Sequence, residues 1–202
     1  MDAFNLLKAD HRKVEELFSQ LESASGQAKM RVFEQIKMEL DLHTHIEEKI
    51  FYPALEKPKQ THELTLEAYE EHDVVKKLLQ QMSRAKSATE EWEAQAKVLQ
   101  ENVEHHVEEE ENELFPKAQA VLGADVEALG EQMEAEKERK QRGASKSSSK
   151  KKSASANKSA SKTKSASTAP KRTRASKKSG SKSSSKSSGS KGSKKSAKKS
   201  RR

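Results

Sequence analysis

Two stretches of this chain occur twice, in the same order. DHRKVEELFSQL (10–21) aligns without a gap to EHDVVKKLLQQM (71–82), and HTHIEEKIFYP (43–53) aligns to HVEEEENELFP (106–116). The repeat sets His11 against His72, His43 against His106, Glu47 against Glu110 and Pro53 against Pro116. A pair of helix-like segments used twice leaves few folds open. Two helical hairpins bury their apolar faces against each other, and the product is a four-helix bundle.

The local signals agree. Before residue 143 glycine and proline are sparse, helix formers such as Glu, Lys, Leu, Ala and Gln dominate, and no stretch alternates apolar and polar with period two. Helices are expected at about 2–24, 29–56, 61–86 and 88–118, with a short fifth at about 125–141 opened by Asp125 after Gly123. The connections are short, so neighbouring helices run antiparallel. The expected fold is all-α: an antiparallel up-down four-helix bundle with a short fifth helix.

Composition then divides the chain near Gly143. Residues 143–202 contain 21 Lys and Arg, no acid, no aromatic and no Val, Leu, Ile or Met. Since the whole chain carries +8, the first 142 residues carry −13. A segment with so little to bury cannot offset the entropy of ordering, so 143–202 is expected to be a disordered basic tail. Residues 1–142 suffice for one core. Cysteine is absent, which excludes disulfides, thiolate metal sites and cysteine nucleophiles. No apolar run approaches the roughly 20 residues of a membrane span, and the expectation is a soluble cytoplasmic protein.

A bundle core is built from positions spaced three and four apart. Such seams run Phe4, Leu7, His11, Val14, Phe18, Leu21 in the first helix and Phe33, Ile36, Leu40, His43, Glu47, Ile50, Ala54 in the second. They run Ala68, His72, Val75, Leu79, Met82 in the third and Trp92, Ala96, Leu99, Val103, His106, Glu110, Leu114 in the fourth. Every seam is broken once, by a His or by a His with a Glu one turn on. His11, His43, Glu47, His72, His106 and Glu110 therefore point inward together. Burying an unpaired carboxylate or imidazole costs several kcal/mol, so four such breaks call for a positive partner among them. No Lys or Arg occupies the seams at that level, and a metal is the natural counter-charge. Imidazole and carboxylate donors without thiolate suit iron or manganese and also admit zinc. Six donors are many for one tetrahedral ion, whereas two ions bridged by Glu47 and Glu110, each with open positions, use them all.

The segments DHRKVEELF, HTHIEEKIFYPAL, EEHDVVKKLL and HHVEEEENELFPKA together resemble the hemerythrin-like, or HHE cation-binding, family, over residues 1–142. The resemblance implies a bundle with a non-haem, usually di-iron centre that binds, senses or reduces oxygen, peroxide or nitric oxide. It also implies that the same six residues are the ligands. The chain departs from the oxygen-carrying members in one respect: their third helix has a His pair one turn apart, whereas His72 has Ala68 and Lys76 at those positions. The acidic ligand of the fourth helix is Glu110 rather than Asp. Both differences argue against simple reversible oxygen carriage. Glu71, Tyr69 and Tyr52 are the candidates to complete the ligand shell.

Four other residues are assigned bland roles. His45 points away from the seam, His105 lies to the side of His106, His62 sits at a helix start, and Trp92 is core. The tail resembles the tails of linker-histone-like proteins. Its lysines and arginines suit the DNA or RNA phosphate backbone through counterion release, without aromatics to stack on bases. Nucleoid association is the corresponding expectation. Two functions follow: a metal-dependent redox or sensing domain tethered to nucleic acid, or a nucleoid-associated DNA-binding protein whose metal-stabilised bundle is a scaffold.

Overall fold

A computed structural model describes residues 1–159 of the chain, with side chains to residue 143. The regular elements of the described residues are all helices, joined by short turns and without a strand. Helix α1 (Ala3–Ser23) is capped by Asp2, whose side chain accepts from the backbone N–H of Asn5 at 2.8 Å. Helix α2 (Gly26–Ile46) begins at Gly26, whose φ of +54° is a backbone region that glycine enters without strain. It continues through a π-helical turn (Glu47–Phe51) into the short α3 (Tyr52–Leu55). Helix α4 spans His62–Met82. Helix α5 (Glu90–Glu109), capped by Thr89, repeats the pattern with a π turn at Glu110–Leu114 and then α6 (Phe115–Leu122). Helix α7 runs Asp125–Ser159.

Four rods thus form the bundle, and α7 lies along α1 and α2. The core has two parts. One is centred on Phe18, Phe33, Leu79 and Trp92; the other on Leu7, Phe51, Leu55 and Phe115, joined by Val126 and Met133 of α7. Between them lies the layer of inward-pointing histidines and glutamates. Each buried Val, Leu, Ile, Phe or Met side chain in these clusters contributes about 1.5–3 kcal/mol of burial, which is what holds the polar layer closed on both sides.

Two expectations need correcting. The second seam does not continue to Ile50 and Ala54; Phe51 and Leu55 are the fully buried residues, and Ile50 and Ala54 are half-buried. The π turn is the reason, because it inserts one residue into the helical register just after Glu47. The fifth helix does not stop near residue 141 but continues to Ser159, overlapping the first part of the expected disordered tail. Alanine and lysine favour helix there, and no proline follows until Pro170. The rest of that tail, 160–202, lies outside the described residues.

Candidate metal centre

The polar layer is positioned by the seams themselves. His11 on α1, His43 on α2, His72 on α4 and His106 on α5 are all buried, and Glu47 and Glu110 begin the two π turns at 0% and 2% exposure. All six residues singled out from the repeat come together. Their donor atoms form two groups that share Glu47: His11, His43, Glu47 and Glu110 in one, and Glu47, His72 and His106 in the other. Within each group the donor atoms lie within 4.8 Å of one another. Nε2 of His43 is 3.1 Å from Glu47 Oε2, and Nε2 of His72 is 3.4 Å from the same oxygen. Nε2 of His11 is 3.4 Å from Glu110 Oε2, and Nε2 of His106 is 3.8 Å from it.

Each histidine turns its other nitrogen to a second carboxylate. His11 Nδ1 donates to Glu111 Oε1 at 2.8 Å, His72 Nδ1 to Glu48 Oε1 at 3.0 Å, and His106 Nδ1 to Glu71 Oε2 at 2.7 Å. His43 Nδ1 faces Asp10 Oδ2 at 3.7 Å. An ionised carboxylate only accepts, so the partners of His11, His72 and His106 place the ring proton on Nδ1 and leave the Nε2 lone pair aimed at the centre, whereas His43 Nδ1 and Asp10 Oδ2 face each other without a hydrogen bond. Lone pairs then face carboxylate oxygens, an arrangement that repels itself unless protons or a cation lie between. His11 Nε2, both oxygens of Glu47 and Glu110 Oε2 are buried without a hydrogen-bond partner. Among the described residues no Lys or Arg reaches Glu47 or Glu110.

The titration behaviour reflects that tension. Burial and the charge of Glu110 push the Glu47 carboxyl well above its ordinary range. Burial also opposes ionisation of Glu110, but the charge of His106 and the contact with His11 outweigh it and hold that carboxyl low. Burial works against the charged forms of His11 and His106, yet Glu110 raises both. Burial, with the charge of His11 adding to it and Asp10 opposing, lowers His43 to about 4.

Tyr52, fully buried, donates its hydroxyl to Glu110 Oε1 at 2.9 Å and lies 3.2 Å from His72 Nε2. It is the one of the three supplementary candidates whose side chain reaches the donor atoms; Glu71 supports His106 from behind, and Tyr69 bonds Glu56 at 2.9 Å on the surface. His105 is exposed, near Glu71 and Glu109. His45 bonds Glu136 at 2.8 Å, and His62 bonds the backbone carbonyl of Glu56 at 2.6 Å. Beside the imidazoles lies a cavity of about 20 Å³, walled by the four histidines and by Val14, Leu40, Val75, Val103 and Val107 among others. It has room for one water-sized molecule.

Sequence reasoning missed the supporting carboxylates Asp10 and Glu48, although a signal was present. Asp10 and Glu71 each precede the lone His of their repeat, and Glu48 and Glu111 each follow its ligand-position Glu. The four acids are therefore two repeat-related pairs.

The hemerythrin HHE cation binding domain matches residues 2–118. A DNA nickase of Nostoc sp. is 30% identical over 116 residues, which is 57% of this chain and 33% of that protein, so the chain spans about a third of that relative's length. An uncharacterised protein of Mycobacterium tuberculosis is 32% identical over 143 residues, 67% of this chain and 84% of that one. In three dimensions the chain is similar to the crystal structure of a hemerythrin HHE cation binding domain-containing protein from Mycobacterium kansasii. The TM-score is 0.61 at 28% identity, covering 69% of this chain and 86% of that one.

Proposed function

The chain belongs to the hemerythrin HHE cation-binding family, and from that premise we propose that it holds two transition-metal ions, iron foremost, in the layer between its two cores. His11 and His43 would hold one ion, His72 and His106 the other, with Glu47 and Glu110 shared between them. Manganese and zinc suit the same donors. The observation that carries this reading is the set of buried, partnerless donor atoms on His11, Glu47 and Glu110. When bound, a pair of iron ions supplies open positions and redox capacity for a small oxidant.

The protein's own groups set the conditions for that chemistry. The second carboxylates Glu111, Glu48 and Glu71 keep the ring protons of His11, His72 and His106 on Nδ1 and fix the direction of each Nε2, and Asp10 faces the Nδ1 of His43 at 3.7 Å. The valine-walled cavity, with room for one water-sized molecule, restricts access beside the imidazoles to the smallest ligands. Tyr52 holds a proton at its hydroxyl, since burial and the charges of Glu110 and Glu47 push its pKa well up, and offers it to Glu110 Oε1. Oxygen, peroxide or nitric oxide is accordingly the ligand to be bound, sensed or reduced.

The tail's 21 positive charges support a further partner, the phosphate backbone of DNA or RNA. The name of the Nostoc relative, a DNA nickase, points to the same partner. That composition also favours a second reading, a nucleoid-associated protein whose metal-stabilised bundle does not turn over. No helix among the described residues is long and apolar enough to cross a membrane. The test is metal analysis with visible absorption of the iron-loaded chain before and after peroxide or nitric oxide. Ferric charge-transfer bands that respond to the oxidant support the first reading; a colourless, zinc-filled protein supports the second. A gel shift of full-length chain against one ending at residue 142 tests the tail, and equal affinities would remove nucleic-acid binding from it.

A further inference from the structure

We propose that Lys137 of α7 is a positioning residue for the His43 side of the metal centre. The fifth helix, which lies beyond the family match at 2–118, is then a working part of the ligand cage. The inference rests on the two-ion reading above.

Three observations carry it. Asp10 is 7% exposed, and its two oxygens have different tasks. Oδ1 accepts from the Lys137 ammonium, while Oδ2 faces His43 Nδ1 at 3.7 Å and has no hydrogen-bond partner of its own. On the far side of that ring, Nε2 is 3.1 Å from Glu47 Oε2. Lys137, Asp10, His43 and Glu47 therefore form a line from the fifth helix to the shared carboxylate. Secondly, the repeat provides a control inside the molecule. Glu71 is the repeat counterpart of Asp10 and sits directly on His106 Nδ1 at 2.7 Å. No lysine or arginine is paired with Glu71 among the described residues; its other neighbour is the exposed His105, at 3.8 Å. The shorter, more distant Asp10 is the one carboxylate of the pair that takes an ammonium from α7.

Thirdly, α7 is docked firmly enough to aim a side chain. Val126 and Met133 enter the core. Gly130 lies so close to the chain's start that a Cβ there would meet Met1 O at 2.3 Å. Glu136 accepts from His45 at 2.8 Å and from Lys49 at 2.6 Å, and Lys140 donates to the carbonyl of Asp41 at 3.0 Å. Without the ammonium, Asp10 is a buried carboxylate whose nearest partner is His43. Nothing then holds Oδ1, the carboxylate is free to turn towards solvent, and His43 loses the group that its Nδ1 faces.

The experiment compares full-length wild type with K137M, K137R and E136Q. Each is titrated anaerobically with Fe²⁺, and bound ions are counted and their affinities measured. K137M is expected to weaken one of two ions by about 10–100-fold and leave the other unchanged, the usual effect of removing a group behind a ligand. K137R, which keeps the charge, restores binding to within about threefold; E136Q, which removes a different α7 contact, keeps both ions. Melting in chelator checks that each variant folds, and D10N replaces K137M if that variant does not. Wild-type affinity for both ions in K137M, or an equal loss in E136Q, overturns the proposal. Wild type that binds no ion removes the two-ion reading itself.

Discussion

The two hairpins, α1 with α2 and α4 with α5, begin from the same sequence plan and finish with different half-sites. Both place a lone His, an HxxxE pair and a π turn at the same depth. The first half has His11, His43 and both shared carboxylates within reach, and its supporting Asp10 is tied to Lys137 from outside the repeat. The second has His72 and His106, a supporting Glu71 that needs no ammonium, and the Tyr52 hydroxyl among its donors. The repeat aligns Tyr52 with Phe115, whose ring stacks at 6.1 Å on His11 instead. The repeat gives the two halves the same inward-pointing residues, and the groups behind them make the halves unequal. One half leans on a helix beyond the repeat, the other on a hydroxyl within it.

The comparison breaks most severely at Glu47, which both groups share. E47Q is expected to lose both ions, a fall of at least 100-fold in each affinity, measured by metal content after desalting. The metal-free variant should melt no lower than wild type, because the substitution removes a carboxyl that burial already keeps from ionising. Single replacements sharpen the contrast. H11A should weaken one ion and H72A the other, each by about 10–100-fold, and a loss of both ions from either variant would mean that the halves are not separate.

Acidity is expected to act next. Glu47, His11 and His106 all have raised pKa values, so in acid they hold protons that a metal ion must displace. His43, lowered to about 4, is already neutral and adds nothing to this competition. Affinity therefore rises with pH, by about tenfold or more from pH 6 to pH 8, with measurable proton release on binding; a flat profile would refute the shifts. The smallest effect is expected from the Tyr52 and Phe115 exchange. Y52F removes one buried hydrogen bond to Glu110, worth about 0.5–1.5 kcal/mol, and should weaken the His72 and His106 ion by about 2–12-fold. F115Y tests whether the first half accepts the same hydroxyl.

Much of this was legible in the sequence because a buried polar residue in an apolar seam is conspicuous, and the repeat displayed each one twice. The bundle and the convergence of the six donors follow from that. The π turns were hidden. They change the register by one residue, visible only as burial passing from Ile50 and Ala54 to Phe51 and Leu55. Lys137 was hidden for a different reason: no periodicity links it to Asp10, 127 positions away, and only the docking of α7 brings them together. Asp10 and Glu48 lie beside ligand-position residues in the sequence, yet their role appears only once the ring directions are known.

The central claim is that the layer between the two cores holds a pair of ions through Glu47. Its most direct test is the count of iron bound per chain in the purified protein, with the E47Q variant beside it. The expected result is two ions per chain, both lost in the variant. Fewer than one ion per chain, or the same iron content in both proteins, would contradict it.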